Sequence, residues 1–105
     1  LWEKAVKKLA DQVDAIYLHI DADILNHKHV PNAACVAEGG PYIDTVMRNI
    51  LTVMETGKVL VYGTYGFYFA TDIPGLDSLP LRGLRVVSAG LDSWKEMPGC
   101  FHTGE

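Results

Sequence analysis

The sequence has little of what marks several specialised protein classes. Its two cysteines, Cys35 and Cys100, have no Cys-x-x-Cys spacing, so they predict neither a zinc knuckle nor a disulfide framework. We expect reduced thiols and a cytoplasmic location, with a Cys35–Cys100 disulfide left open because sequence does not give the distance between them. No apolar run approaches the roughly 18 residues of a membrane span, and no signal peptide is recognisable. We therefore expect no membrane partner.

Positive charge is also scarce. Thirteen acidic and nine basic side chains give a net charge of −4, and the basic residues form no cluster beyond Lys7-Lys8. Binding to a phosphate backbone requires a basic surface, so we expect no nucleic-acid partner. The 105 residues, 49% of them apolar, fit one soluble globular domain over 1–105. Because Leu1 lies within a predicted helix and no Met precedes it, we expect an excerpt of a longer protein.

Hydrophobic periodicity predicts an alternation of helices and strands. Apolar residues at helical spacing predict helices over 1–13, from Pro41 to Gly57, and from Ser78 to near Met97. Short runs rich in β-forming residues predict strands at 15–20 and 58–63. A strand, a helix and a second strand in this order predict a parallel βαβ unit. Residues 21–40 are a predicted loop, and 64–75 can prolong the second strand or form another loop.

Polar side chains follow the first predicted strand. His19, Asp21 and Asp23 stand at i, i+2 and i+4, so on an extended chain they share one face at the strand's carboxyl end, where open α/β sheets bind ligands. Adjacent carboxylates repel unless a cation relieves them, which predicts a metal site. His27 and His29 follow, and imidazole favours manganese, iron or zinc over calcium. In the alternative interpretation the aspartates cap turns and the histidines support packing or loops.

The pair Gly39-Gly40 before the second predicted helix offers a different hypothesis. Backbone N–H groups and the helix dipole can hold a phosphate there, which would make the chain a nucleotide-binding module. However, no glycine-rich phosphate motif is present, and Glu38 would repel an anion. A tight turn that leads into the helix is the favoured interpretation.

Three segments together resemble one protein family. Tyr-Leu-His-Ile-Asp-Ala-Asp-Ile-Leu at 17–25, Val-Pro-Asn at 30–32 and Glu-Gly-Gly-Pro at 38–41 are similar to the arginase/agmatinase/formimidoylglutamase family of ureohydrolases. The resemblance implies a three-layer α/β/α domain with a mostly parallel sheet, of which this chain is the C-terminal part. It implies a centre of two manganese ions bound in part by Asp21 and Asp23, a small guanidino or amidine substrate whose C–N bond is hydrolysed, and assembly into trimers or hexamers.

The resemblance also has departures. The family's upstream His ligand and its Asp-x-His-x-Asp strand are absent from this chain. A family Glu that holds the guanidinium has no counterpart in Tyr-Gly-Thr-Tyr-Gly at 62–66. No residue is therefore assigned a catalytic role, and His19, Asn26, His27 and His29 are candidates only for contacts to substrate or around the metal. The alternative is a non-catalytic relative that keeps the fold in a structural or interaction role.

Overall fold

The computed structural model describes residues 1–26, 39–67 and 79–95. The described residues form three α-helices, two strands and one short 3-10 helix: α1 (Trp2–Gln12), β1 (Ile16–Asp21), the 3-10 helix (Ala22–Ile24), α2 (Ile43–Met54), β2 (Val59–Tyr65) and α3 (Leu79–Ser93). Among the described helices, none has the length and apolarity needed to cross a membrane.

The two strands lie side by side and run parallel. Their register pairs Tyr17 with Val61 and continues without a shift to Asp21 opposite Tyr65. Since α2 connects them, the predicted βαβ unit is confirmed. Thr64 and Tyr65 prolong the second strand, which is one of the two alternatives predicted for residues 64–75. Gly66 and Phe67 follow the strand, and positions 68 to 75 lie outside the described residues.

The helices pack against one face of this sheet. Leu18 of β1 lies with Val46 and Ile50 of α2 around a common cavity. Tyr62, the register partner of Leu18, points the same way and donates its hydroxyl to the backbone carbonyl of Val86 in α3, at 2.5 Å. The described residues therefore supply a parallel sheet and one helical layer, which confirms the α/β class.

The other face of the sheet is named here the open face. Because side chains alternate along a strand, it carries every second residue of the paired segments. Three of its side chains stay well exposed: Tyr17 at 61%, Val61 at 47% and Tyr65 at 67%. The open face consists of Tyr17, His19 and Asp21 from β1 and Val61, Gly63 and Tyr65 from β2.

The buried residues of α2 follow the hydrophobic spacing that predicts this helix. Ile43, Val46, Ile50 and Val53 follow one another at spacings of three and four and are all buried. The helix begins at Ile43 and not at Pro41, because the carbonyl of Pro41 accepts the backbone N–H of Asn26 at 2.8 Å. This bond keeps the residues before α2 beside the segment that leaves β1.

Helix α3 begins at Leu79, with the predicted Pro80 in its first turn. It ends at Ser93 and not near Met97, so its predicted end was wrong. The physical reason is a long-range contact: the indole N–H of Trp94 donates to the carbonyl of Val59 at 2.8 Å, which takes Trp94 out of the helix and onto the sheet. The predicted cap, Ser78, lies outside the described residues.

Candidate functional site

The chain turns sharply where β1 ends. Asp21 is the last residue of the strand and the N-cap of the 3-10 helix, and its Oδ1 accepts the backbone N–H of Asp23 at 3.0 Å. Aspartate suits this position because its carboxylate satisfies an N–H that has no partner within the helix. A carboxylate has about four acceptor sites, so this one bond leaves others available to a cation.

Asp23 is close to Asp21 by a different geometry from the one the spacing predicted. It lies within the 3-10 helix, whereas the extended strand stops at Asp21. The expectation of one strand face shared by three polar residues therefore holds for His19 and Asp21 and is wrong for Asp23. Both side chains are half-buried, and the two residues are connected by a turn that Asp21 itself caps.

Asp21 and Asp23 do not form a metal site by themselves. Within residues 1–26, 39–67 and 79–95, no three His, Cys, Asp or Glu side chains are grouped so that they could hold a metal ion. Asp21 and Asp23 supply oxygen donors, which suit manganese, but octahedral coordination requires about six ligands. A complete site needs donors in addition to these two.

A glycine at the end of β2 makes room for the Asp21 carboxylate. Gly66 has a positive φ of 78°, and a Cβ atom there would lie 3.1 Å from Oδ1 of Asp21. Any other residue would strain the backbone and press on the carboxylate. Gly66 could not be identified from the sequence, because this contact depends on the pairing of β1 with β2.

His19 lies on the open face between two tyrosines. Its Nδ1 is 3.3 Å from the hydroxyl oxygen of Tyr17, and the two ring centroids are 6.0 Å apart. On its other side the ring of Tyr65 has its centroid 6.3 Å away. His19 is exposed, so it does not pack in the core, which was one of the supporting roles in the alternative interpretation. Tyr17 and His19 lie two residues apart on the predicted strand. This spacing indicates that their side chains are neighbours on one face.

Asn26 connects the end of the 3-10 helix region to the beginning of α2. Asn26 is buried, and its side-chain amide donates to the carbonyl of Gly40 at 3.2 Å. A Cβ at Gly40 would lie 2.5 Å from the carbonyl oxygen of Ile24. Gly39 has a φ of 76°. Gly40 thus permits a close backbone contact and Gly39 supplies the positive φ, which favours the tight turn over the phosphate hypothesis. His27, His29 and both cysteines lie outside the described residues.

Comparison with known proteins places this geometry in a fold family. No family model matches the chain. The formimidoylglutamase of Halalkalibacterium halodurans is 35% identical over 48 residues, which are 46% of this chain and 15% of that protein. The arginase of Helicobacter pylori superimposes with a TM-score of 0.74 at 18% identity, over 90% of this chain and 33% of that one. The formimidoylglutamase of Bacillus subtilis gives a TM-score of 0.70 at 19% identity, over 87% of this chain and 28% of that one. The chain has the ureohydrolase fold.

The predicted resemblance to ureohydrolases is thereby confirmed, and these relatives are hydrolases. The chain spans about a third of the length of the arginase and formimidoylglutamase structures that it matches. In open parallel α/β sheets, ligands bind at the carboxyl ends of the strands. Asp21, Asp23 and Tyr65 all lie at this edge of the described sheet. Asp21 and Asp23 thus place two carboxylates at this edge, which by themselves are too few among the described residues to hold a metal ion.

Proposed function

We propose that residues 1–105 are the C-terminal part of an arginase-like, manganese-dependent hydrolase domain, which acts on the C–N bond of a guanidinium or amidine group. One observation carries the proposal. Asp21 and Asp23 both lie at the carboxyl edge of a parallel strand pair within a ureohydrolase fold. The relatives' names, arginase and formimidoylglutamase, support this class of small-molecule substrate for the chain.

Asp21 and Asp23 would bind manganese through their carboxylate oxygens. The hydrogen bond from the Asp23 N–H to Oδ1 of Asp21 orients the first carboxylate, as partners of metal ligands commonly do. When bound, manganese lowers the pKa of a coordinated water and stabilises the negative charge that develops during hydrolysis. Because the two carboxylates are too few, the proposal includes further ligands from polypeptide beyond these 105 residues.

The remaining candidates support the carboxylates in this proposal. His19 lies two residues before Asp21 on the open face, and Asn26 holds the exit of the 3-10 helix against Gly40. His27 and His29 follow in the same loop and would contact substrate or surround the metal. A cytoplasmic location and a trimer or hexamer remain predictions from the family resemblance.

Product release from candidate substrates tests the proposal directly. The full-length protein, loaded with manganese, is incubated with arginine, agmatine or formimidoylglutamate, and urea or formamide is measured. We expect turnover of at least one substrate, abolished by Asp21→Asn and by Asp23→Asn. Asp14→Asn is the matched control, because Asp14 is an exposed carboxylate before the opposite end of β1.

The second candidate function is a non-catalytic relative with a structural or interaction role. It is favoured by the composition of β2, Val-Leu-Val-Tyr-Gly-Thr-Tyr, which carries no carboxylate to pair with a guanidinium. A folded, manganese-bound protein that releases no product from any of the three substrates would support this candidate and contradict the hydrolase.

A further inference from the structure

Tyr17 and His19 are in side-chain contact on the open face. The hydroxyl oxygen of Tyr17 lies 3.3 Å from Nδ1 of His19. Gly63, the register partner of His19, gives the hydroxyl its space: a Cβ at Gly63 would lie 2.9 Å from that oxygen and 3.6 Å from Nδ1. A residue larger than glycine at position 63 would therefore displace the Tyr17 hydroxyl from the ring nitrogen of His19.

The direction of this hydrogen bond follows from the chemistry of the two groups. A phenol O–H is a stronger acid than the N–H of a neutral imidazole, and an imidazole nitrogen is a stronger base than a phenol oxygen. The favoured arrangement has the Tyr17 hydroxyl donating to Nδ1 of His19. A neutral imidazole carries a single N–H, so its proton then lies on Nε2.

We propose that Tyr17 is a positioning residue which fixes His19 as the Nε2–H tautomer, and that His19 thereby offers an N–H donor to a ligand bound at the edge of Asp21. Tyr65, the register partner of Asp21, lies on the other side of the imidazole, with the two rings inclined by 33°. Two tyrosines thus flank the ring. The Nε2–H group of His19 would bind a carbonyl or carboxylate oxygen of the ligand. This donor role of His19 rests on the proposed function.

Imidazole ¹⁵N NMR of the full-length protein tests the positioning role, at a pH of about 8.5 where histidine is ordinarily neutral. The His19 signals, assigned by their loss in His19→Gln, are expected to place the proton on Nε2 alone. Tyr17→Phe should give a mixture of tautomers, and Gly63→Ala should shift the signals in the same direction. Tyr65→Phe is the control and should leave the tautomer unchanged, since the Tyr65 ring contact does not need the hydroxyl.

A proton on Nδ1 in the unmodified protein, or an unchanged spectrum in Tyr17→Phe, would overturn the positioning role. The donor role is tested by steady-state kinetics. His19→Leu should raise KM about tenfold with a smaller effect on kcat, and His19→Gln, which keeps an N–H near the Nε2 position, should recover part of the loss. An unchanged KM in His19→Leu would overturn the donor role. If the unmodified protein has no turnover, the proposed function fails while the NMR result still decides whether Tyr17 positions His19.

Discussion

Oδ1 of Asp21 accepts the backbone N–H of Asp23 at a distance of 3.0 Å. Through this bond, one residue ends β1, caps the 3-10 helix and brings the two candidate metal ligands together. If Asp21 binds manganese as proposed, its carboxylate contributes both to local stability and to metal binding. Variants that keep the cap and variants that remove it distinguish the two contributions.

Removal of the cap should cost stability even without metal. Asp21→Ala is expected to lower the free energy of unfolding by about 1 kcal/mol, the usual cost of a lost N-cap. Asp21→Asn keeps a side-chain oxygen acceptor and should lose less than half as much. Urea denaturation of the full-length protein with chelator present measures both, with Asp14→Ala as the exposed control. Equal stability of the Ala and Asn variants would contradict the capping role.

Gly66 should matter both for the backbone and for the Asp21 carboxylate. Gly66→Ala and Gly57→Ala both place a side chain at a positive φ, 78° and 71°, which costs roughly 1 to 3 kcal/mol. A Cβ at Gly57 would meet nothing within 4 Å, whereas one at Gly66 would lie 3.1 Å from Oδ1 of Asp21. Both variants should therefore unfold more easily, and only Gly66→Ala should also weaken manganese binding. Unchanged manganese affinity in Gly66→Ala would show that the contact does not matter.

The sequence was sufficient to predict the elements whose signals are local. The spacing of Ile43, Val46, Ile50 and Val53 predicts α2, and the apolar runs predict β1 and β2 within two residues at each end. The parallel pairing also followed, because a strand, a helix and a strand in sequence have essentially one favoured topology.

Contacts between distant parts of the chain could not be predicted in this way. The helix pattern continues past Ser93, but the indole of Trp94 is drawn to the carbonyl of Val59, so α3 ends early. The contact between Gly66 and Asp21 likewise depends on strand register, which periodicity does not give. The i, i+2, i+4 spacing predicts an extended chain at Asp23, because periodicity does not indicate the cap that Asp21 forms.

One added methyl group between α3 and β2 should lower the stability of the protein. A Cβ at Gly90 would lie 2.2 Å from the ring of Tyr62. Gly90→Ala should therefore destabilise the protein by about 1 to 3 kcal/mol, as overpacking does, although alanine is the better helix former. Asp92→Ala, at an exposed position of the same helix, is the control and should be neutral or slightly stabilising. A stability gain in Gly90→Ala, measured by urea denaturation, would contradict the close packing.

Alkaline pH should destabilise the fold through Tyr62. Burial raises the pKa of Tyr62 from 10.0 to about 12, so the folded state holds its proton more tightly than the unfolded state. This contribution is fully present below the unfolded pKa and is lost as the pH rises from 10.0 towards about 12. Tyr62→Phe should flatten the fall in unfolding free energy over this window. Identical pH profiles for Tyr62→Phe and the unmodified protein would contradict the prediction.

Calorimetric titration of the full-length protein with manganese tests the central claim most directly. Asp21→Asn and Asp23→Asn remove one carboxylate charge each, and Asp21→Asn keeps an oxygen that can cap the 3-10 helix. Each variant is expected to weaken manganese binding at least tenfold, which corresponds to about 1.4 kcal/mol, while Asp14→Asn binds as the unmodified protein does. Manganese affinity unchanged in both Asp21→Asn and Asp23→Asn would contradict the assignment of this strand end as a metal site.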